Sequence, residues 1–303
     1  MPVNPQSWGC LVRERSLLPG SAVRLFSLLL GAALLGAAAY APAQEPAPPP
    51  TEPAAPVQAS EPAAAPLPCA KIWLGHEAEY EELLRNAKIA RVEELEIGVT
   101  RPRCAFLEPG LPFSRMAWKT LKPGTYKGFY ESYRSEIAAY ELDKLIGLDM
   151  IPPSVERHVK AEVGAAILWV ENVRNWEVKH PVRGPDERAW ARQWVRLKMF
   201  DQLSGNIDRN QGNVLYDSEY HLILIDHSRA FRDVVDLNQY QKYAFVDAEL
   251  WEGMQALTME TMQPTLGQWV SKGMLYAILQ RRDRMKKEID KLLAARGPAI
   301  WLR

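Results

Sequence analysis

"SGNIDRNQGNVLYDSEYHLILIDHSRAF", residues 204–231, carries more polar groups than a packed core would take. Asp208 is followed five residues later by Asn213. Val214-Leu215-Tyr216 reads as a strand, and Leu222-Ile223-Leu224-Ile225 as a second one ending in Asp226. A turn near Asp217-Ser218 folds the two together and brings Asp226 near Asn213. A carboxylate beside an amide oxygen suits a hard divalent cation such as Mg²⁺. Asp208, off the metal, is then free to accept a proton from an attacking hydroxyl. Any one of the three, taken singly, is an ordinary turn or cap residue. The combination is what points to chemistry.

The Asp-to-Asn interval is that of kinase catalytic loops, and a metal held this way can bridge phosphate oxygens. Phosphoryl transfer also needs a cation on the phosphates, held in turn by an acid. "MAWK" (116–119) offers Lys119 on a predicted strand, and Glu136 lies on the next predicted helix. Lys122 competes with Lys119 for the role. No G-x-G-x-x-G loop occurs. In its place "EIGVTRPR" (96–103) offers Thr100 and Arg101 as phosphate donors. The strand "AAILWVEN" is expected to supply a hinge, with backbone from Trp169 to Glu171 facing an adenine.

Working outward, residues 70–90 have apolar positions at helical spacing, and 95–124 read as short strands broken at Gly98, Pro102, Pro109-Gly110 and Pro123-Gly124. A helix is predicted over 131–146, stopped by Gly147 and Pro152-Pro153. A buried strand follows over 164–173, then a Trp-rich amphipathic helix over 186–204 and the quoted hairpin. From Glu249 onward the chain reads as helical. "LQRRDRMKKEIDKLL" (279–293) reads as an amphipathic basic helix with a solvated face. A small β-rich lobe (69–173) followed by a larger helical lobe (174–303) is an α+β arrangement, with a cleft between lobes as the ligand site.

The first 43 residues are not expected to join the fold. Arg13, Arg15 and Arg24 precede an apolar run from Leu25 to Tyr40, followed by small residues at Ala41 and Ala43. That is the layout of a secretory signal. The alternative is an uncleaved anchor, with residues 25–41 as a membrane tether. Residues 44–68 hold nine prolines and predict a disordered, semi-extended linker. An exported chain favours disulfides, and Cys69 and Cys104 form an even pair once Cys10 is assigned to the leader. No CxxC or His-rich metal spacing occurs. With 37 basic and 37 acidic residues the net charge is zero, so nothing points to nucleic acid as a partner.

"SEIAAYELDKLIGLDMIPPSVER" (135–157), with "GNIDRNQGN" and "LIDHSRAF", resembles the secretory-pathway kinases of the Golgi casein-kinase type. Phosphatidylinositol 3-/4-kinases and HipA-type kinases share the last two segments more loosely. The resemblance covers roughly residues 95–235 at the level of motifs. It implies a two-lobed kinase-like fold with Glu136 as the helix acid, Asp208 as the catalytic base, Asp226 as the metal carboxylate and Lys119 as the nucleotide lysine. Asn213 follows the general kinase interval rather than this branch, and "DHS" stands where most kinases have D-F-G.

Three readings follow. The first is an exported ATP-dependent phosphotransferase using Mg²⁺ or Mn²⁺ on a hydroxyl of a protein, sugar or lipid. The second is a non-catalytic kinase-like binding module tethered in the periplasm or cell envelope, where ATP is scarce. The third is a metal-dependent hydrolase, which leaves Lys119 and Glu136 idle.

Overall fold

The computed structural model describes residues 69–95, 102–237 and 244–303. The leader, the Pro-rich linker, Thr100 and Arg101 lie outside the described residues. In chain order the elements are α1 (Glu77–Asn86), β1 (Ile89–Glu94), β2 (Arg103–Leu107), β3 (Arg115–Lys119), β4 (Gly124–Tyr126), β5 (Phe129–Glu131) and α2 (Tyr133–Ile146). There follow β6 (Ser154–Val159), β7 (Glu162–Leu168), β8 (Arg174–Asn175), α3 (Glu187–Ser204), β9 (Val214–Tyr216) and β10 (Leu222–Leu224). The chain closes with β11 (Val246–Asp247), α4 (Ala248–Gln255), α5 (Met259–Leu266), α6 (Lys272–Arg296) and β12 (Trp301–Leu302). Among the described residues no helix is long and apolar enough to cross a membrane.

The first lobe is an antiparallel sheet of five strands in the order β1-β2-β3-β7-β6. β3 is its central strand, which fixes the position of its last residue, Lys119, opposite Ala165 of β7. Gly164 beside that pair is a close approach: a Cβ there would stand 2.3 Å from the Lys119 carbonyl oxygen. Only a hydrogen fits, so β7 can run tight against the end of β3.

Helix α2 connects the lobes by burying two faces. Tyr133 and Ile137 pack with Ala117, Ala165 and Ile167 of the sheet. Leu142 and Ile146 join the helical core with Trp251 and Met254. Its start is capped by Ser132, whose hydroxyl accepts from the Arg134 amide, and it stops at Gly147 in the left-handed region (φ 64°). The following turn is tied back by Asp143, whose carboxylate accepts backbone N–H bonds from Asp149, Met150 and Ile151. Burial pushes the Asp143 carboxyl up to about 6, although those three bonds act in the opposite direction.

The quoted stretch folds as the expected hairpin of two apolar runs. β9 and β10 pair antiparallel, Leu222 with Tyr216 and Leu224 with Val214, so the turn spans Asp217–His221. β8 adds a third strand on the far side of β9. Leu215 and Ile223 face the apolar cluster shared with the first sheet, while Val214, Leu222 and Leu224 face the helical core. The hairpin is therefore a wall common to both lobes.

Three expectations need correcting. No disulfide joins Cys69 to Cys104. Cys104 lies on β2 opposite Ala117, inside the cluster under α2, whereas Cys69 sits against Asp217 and His221 at the hairpin turn. The predicted strand over 164–173 ends at Leu168. The helix over 279–293 is largely solvated, as its pattern suggests, but Arg281 is fully buried. Its guanidinium donates to the carbonyls of Leu203, Arg232 and Val234 and so ties α6 to the end of α3 and to the chain after the hairpin.

Candidate active site

A cavity of about 470 Å³ lies between sheet and hairpin, lined by Lys119, Glu136, Asp208, Asn213, Asp226 and Ser228 among its polar groups. Ile151, Ile167, Leu215 and Leu224 supply apolar wall. Five positions spread from 119 to 226 thus reach one space from four supports. Lys119 comes from the end of β3 and Glu136 from the first turn of α2. Asp208 and Asn213 come from the loop after α3, and Asp226 follows β10.

The Lys119 ammonium sits 2.7 Å from Glu136 Oε1 and 2.8 Å from Asp226 Oδ1. Burial alone would lower the lysine's proton affinity, but the two carboxylates outweigh it and hold its pKa above the ordinary value. Glu136 is raised, chiefly by burial, with Lys119 opposing. Asp226 resists the upward push of burial because Lys119 and the Ser228 hydroxyl bind it, and it ends well below the usual carboxylate range. The second oxygen of Glu136 accepts the His227 amide at 2.9 Å, which joins the helix acid to the segment carrying Asp226. Asp226 itself has φ 58°, a left-handed conformation that non-glycine residues seldom adopt. Strain of this kind, held by Lys119, Ser228 and the neighbouring amide, is typical of functional positions.

Asp208 and Asn213 line the same cavity from the loop after α3. The Asn213 side-chain amide donates to the Asp208 carbonyl at 2.9 Å, and the Asp208 amide donates to Asn206 Oδ1. One Asp208 carboxylate oxygen pairs with Arg229 at 3.1 Å, and Arg229 also binds Glu131. With its amide nitrogen directed at Asp208, Asn213 keeps an oxygen for a ligand. Asp226 and Asn213 both face the cavity and offer oxygen donors, the set that Mg²⁺ or Mn²⁺ takes.

Sequence reasoning missed the groups that hold the loop. Arg209 is nearly buried and pairs with Asp201 of α3 at 3.0 Å. It also donates to the carbonyls of Asn213 and Ile225 at 2.8 Å each and approaches His227 Nε2 at 2.8 Å. One guanidinium therefore sets the spacing between the loop and the end of β10. His227, fully enclosed and next to that cation, has its pKa pushed well below the ordinary histidine value. The signal was present: Arg209 adjoins Asp208, and Asp201 lies on the buried face of an otherwise amphipathic helix. Glu171 is not at the cavity, and neither Trp169 nor Val170 lines it. The register that places Met116 opposite Leu168 brings Arg115 alongside Trp169, and Arg115 captures the Glu171 carboxylate with two bonds of 2.7 and 2.8 Å. Lys122, the rival to Lys119, is not among the lining residues.

No protein-family model matches the chain, and no curated protein matches it. Solved structures do. The Golgi casein kinase with Mn/ADP bound superposes with a TM-score of 0.57 at 14% identity, over 75% of this chain and 78% of that one. The hydra Fam20 structure with sugar gives 0.56 at 14% identity, over 74% of this chain and 91% of that one. At such identity the likeness is one of fold. The sheet with its central lysine strand, the helix bearing Glu136 and the hairpin ending in Asp226 are thus parts of an atypical kinase fold, the one the Golgi casein kinase and hydra Fam20 also have.

Proposed function

We propose that this chain is an exported, ATP-dependent phosphotransferase that uses Mg²⁺ or Mn²⁺ to phosphorylate a hydroxyl of a protein, sugar or lipid. The observation that carries the reading is the bridged lysine: Lys119 held at once by Glu136 and Asp226 in a cavity that also admits Asp208 and Asn213. A mere structural ion pair has no need of further oxygen donors lining the same open cavity. That the Golgi casein kinase of similar fold binds Mn and ADP supports nucleotide and metal as ligands.

In this reading Lys119 binds phosphate oxygens, and Glu136 keeps it aimed. Asp226 and Asn213 would hold the cation, which when bound would neutralise charge on the phosphates. Asp208 takes the proton of the acceptor hydroxyl as its oxygen bonds to the γ-phosphorus. The bond from that phosphorus to the bridging oxygen breaks, and ADP departs with the electron pair. The apolar wall of Ile151, Ile167 and Leu224 suits a base or sugar face.

One observation favours a second reading, the non-catalytic module: Arg229 already occupies one oxygen of the proposed base. Release of radiolabelled phosphate from ATP to a panel of protein, sugar and lipid acceptors, in Mn²⁺, separates the two. Asp208→Ala should abolish transfer while ATP still stabilises the protein. Transfer that persists in Asp208→Ala removes Asp208 from its role, and ATP binding without transfer in the unaltered protein supports the module.

A further inference from the structure

The hairpin turn at the end remote from Asp226 gathers a second group of donors. Cys69 Sγ lies 3.5 Å from His221 Nδ1 and 3.7 Å from Asp217 Oδ2. His221 Nδ1 lies 3.1 Å from Asp217 Oδ2 and 3.7 Å from Glu219 Oε2. The ligand atoms of Cys69, Glu219 and His221 all fall within 4.8 Å of one another. Zinc–ligand bonds of about 2.0–2.3 Å in a tetrahedron set the donors roughly 3.3–3.6 Å apart. The four observed spacings bracket that range.

The bland account is a hydrogen-bonded turn, and it explains only part of the group. Asp217 Oδ1 accepts the Glu219 and His221 amides at 3.0 and 2.8 Å, and Oδ2 accepts the Ala70 amide at 3.2 Å. Those bonds need Asp217 alone. They give no reason for a thiol and an imidazole nitrogen to meet its outer oxygen, or for the Glu219 carboxylate to stand 3.7 Å from that imidazole. A thiolate with an imidazole is the donor pair that selects zinc over Mg²⁺ or Ca²⁺.

We propose that Cys69, His221, Glu219 and Asp217 form a structural site for Zn²⁺, separate from the nucleotide cavity. Binding displaces the thiol proton to solvent and takes the imidazole lone pair at Nδ1, with the ring proton on Nε2. The ion ties the first described residue of the chain to the turn of the hairpin whose other end carries Asn213 and Asp226. The site does not depend on the phosphotransferase reading.

The test is titration of the full-length, metal-free protein with Zn²⁺, and with Co²⁺ to read thiolate-to-metal charge-transfer absorption. One equivalent should bind, raise the melting temperature and release a proton. Cys69→Ser and His221→Ala should each abolish the cobalt–thiolate band and weaken zinc by more than the roughly 10–100-fold that loss of a supporting partner costs. Asp226→Asn, in the other cavity, should retain the band. Failure of the unaltered protein to bind Zn²⁺, or binding that survives in both Cys69→Ser and His221→Ala, overturns the proposal.

Discussion

Lys119 shows how much one side chain can decide. It is almost fully buried, yet it carries a charge that two carboxylates keep in place. Replacing it with Met leaves Glu136, itself buried, without its cation. Removing one partner of a buried pair costs about 3–5 kcal/mol. Lys119→Met should therefore lower unfolding stability in urea by roughly that amount and eliminate response to ATP. A variant as stable as the parent would mean that the pair is not closed in solution. Asp143 gives a residue-scale test in pH. Its ordinary value is 3.8 and its folded value about 6. The folded state therefore holds the proton more tightly, so its contribution to stability is complete below about pH 4 and declines as pH rises through 6. Two pKa units correspond to a loss of about 3 kcal/mol. Stability measured at pH 4 and pH 6.5 should fall more steeply in the parent than in Asp143→Asn. Equal slopes would show that the three amide bonds, not burial, control this carboxyl.

At the scale of elements, the end of β3 depends on how near β7 can come. Gly164→Ala would drive a methyl into the Lys119 carbonyl, with backbone carbon and Thr120 Cγ2 each 2.9 Å away. Overpacking of this type costs about 1–3 kcal/mol. Because the displaced residue carries the site ammonium, ATP affinity should fall along with stability. Stability loss with affinity intact would show that the strand end adjusts without moving Lys119. Much at this scale was legible. Helix α2 announces itself by its stop at Gly147, and the hairpin by two apolar runs around a turn at Asp217, whereas Ser132, which falls inside the predicted helix, is its cap. The hairpin of β4 and β5 was not legible, because its short strands lie largely on exposed or half-exposed surface and carry no apolar run like that of β9 and β10. Glu171 failed for another reason. Nearness to a strand end does not reveal which neighbour the sheet register brings alongside, and Arg115 claimed it. Cys69 and Cys104 failed similarly, since an even count says nothing about distance.

For the whole molecule, the central relation is that a sheet, a helix and a hairpin are locked by polar bonds at the point where they meet. Lys119 joins sheet to helix and hairpin, the His227 amide joins hairpin to helix, and Arg209 joins the loop of Asp208 to α3 and to the end of β10. A site so supported should take a metal–nucleotide with little rearrangement, and binding to the native state alone should stabilise the fold. The most direct measurement is calorimetric titration of ATP into the protein and into Asp226→Asn, each with and without Mn²⁺. The account predicts binding to the parent that requires Mn²⁺ and is lost in Asp226→Asn. Absence of binding to the parent in Mn²⁺, or equal binding to both proteins, would contradict it.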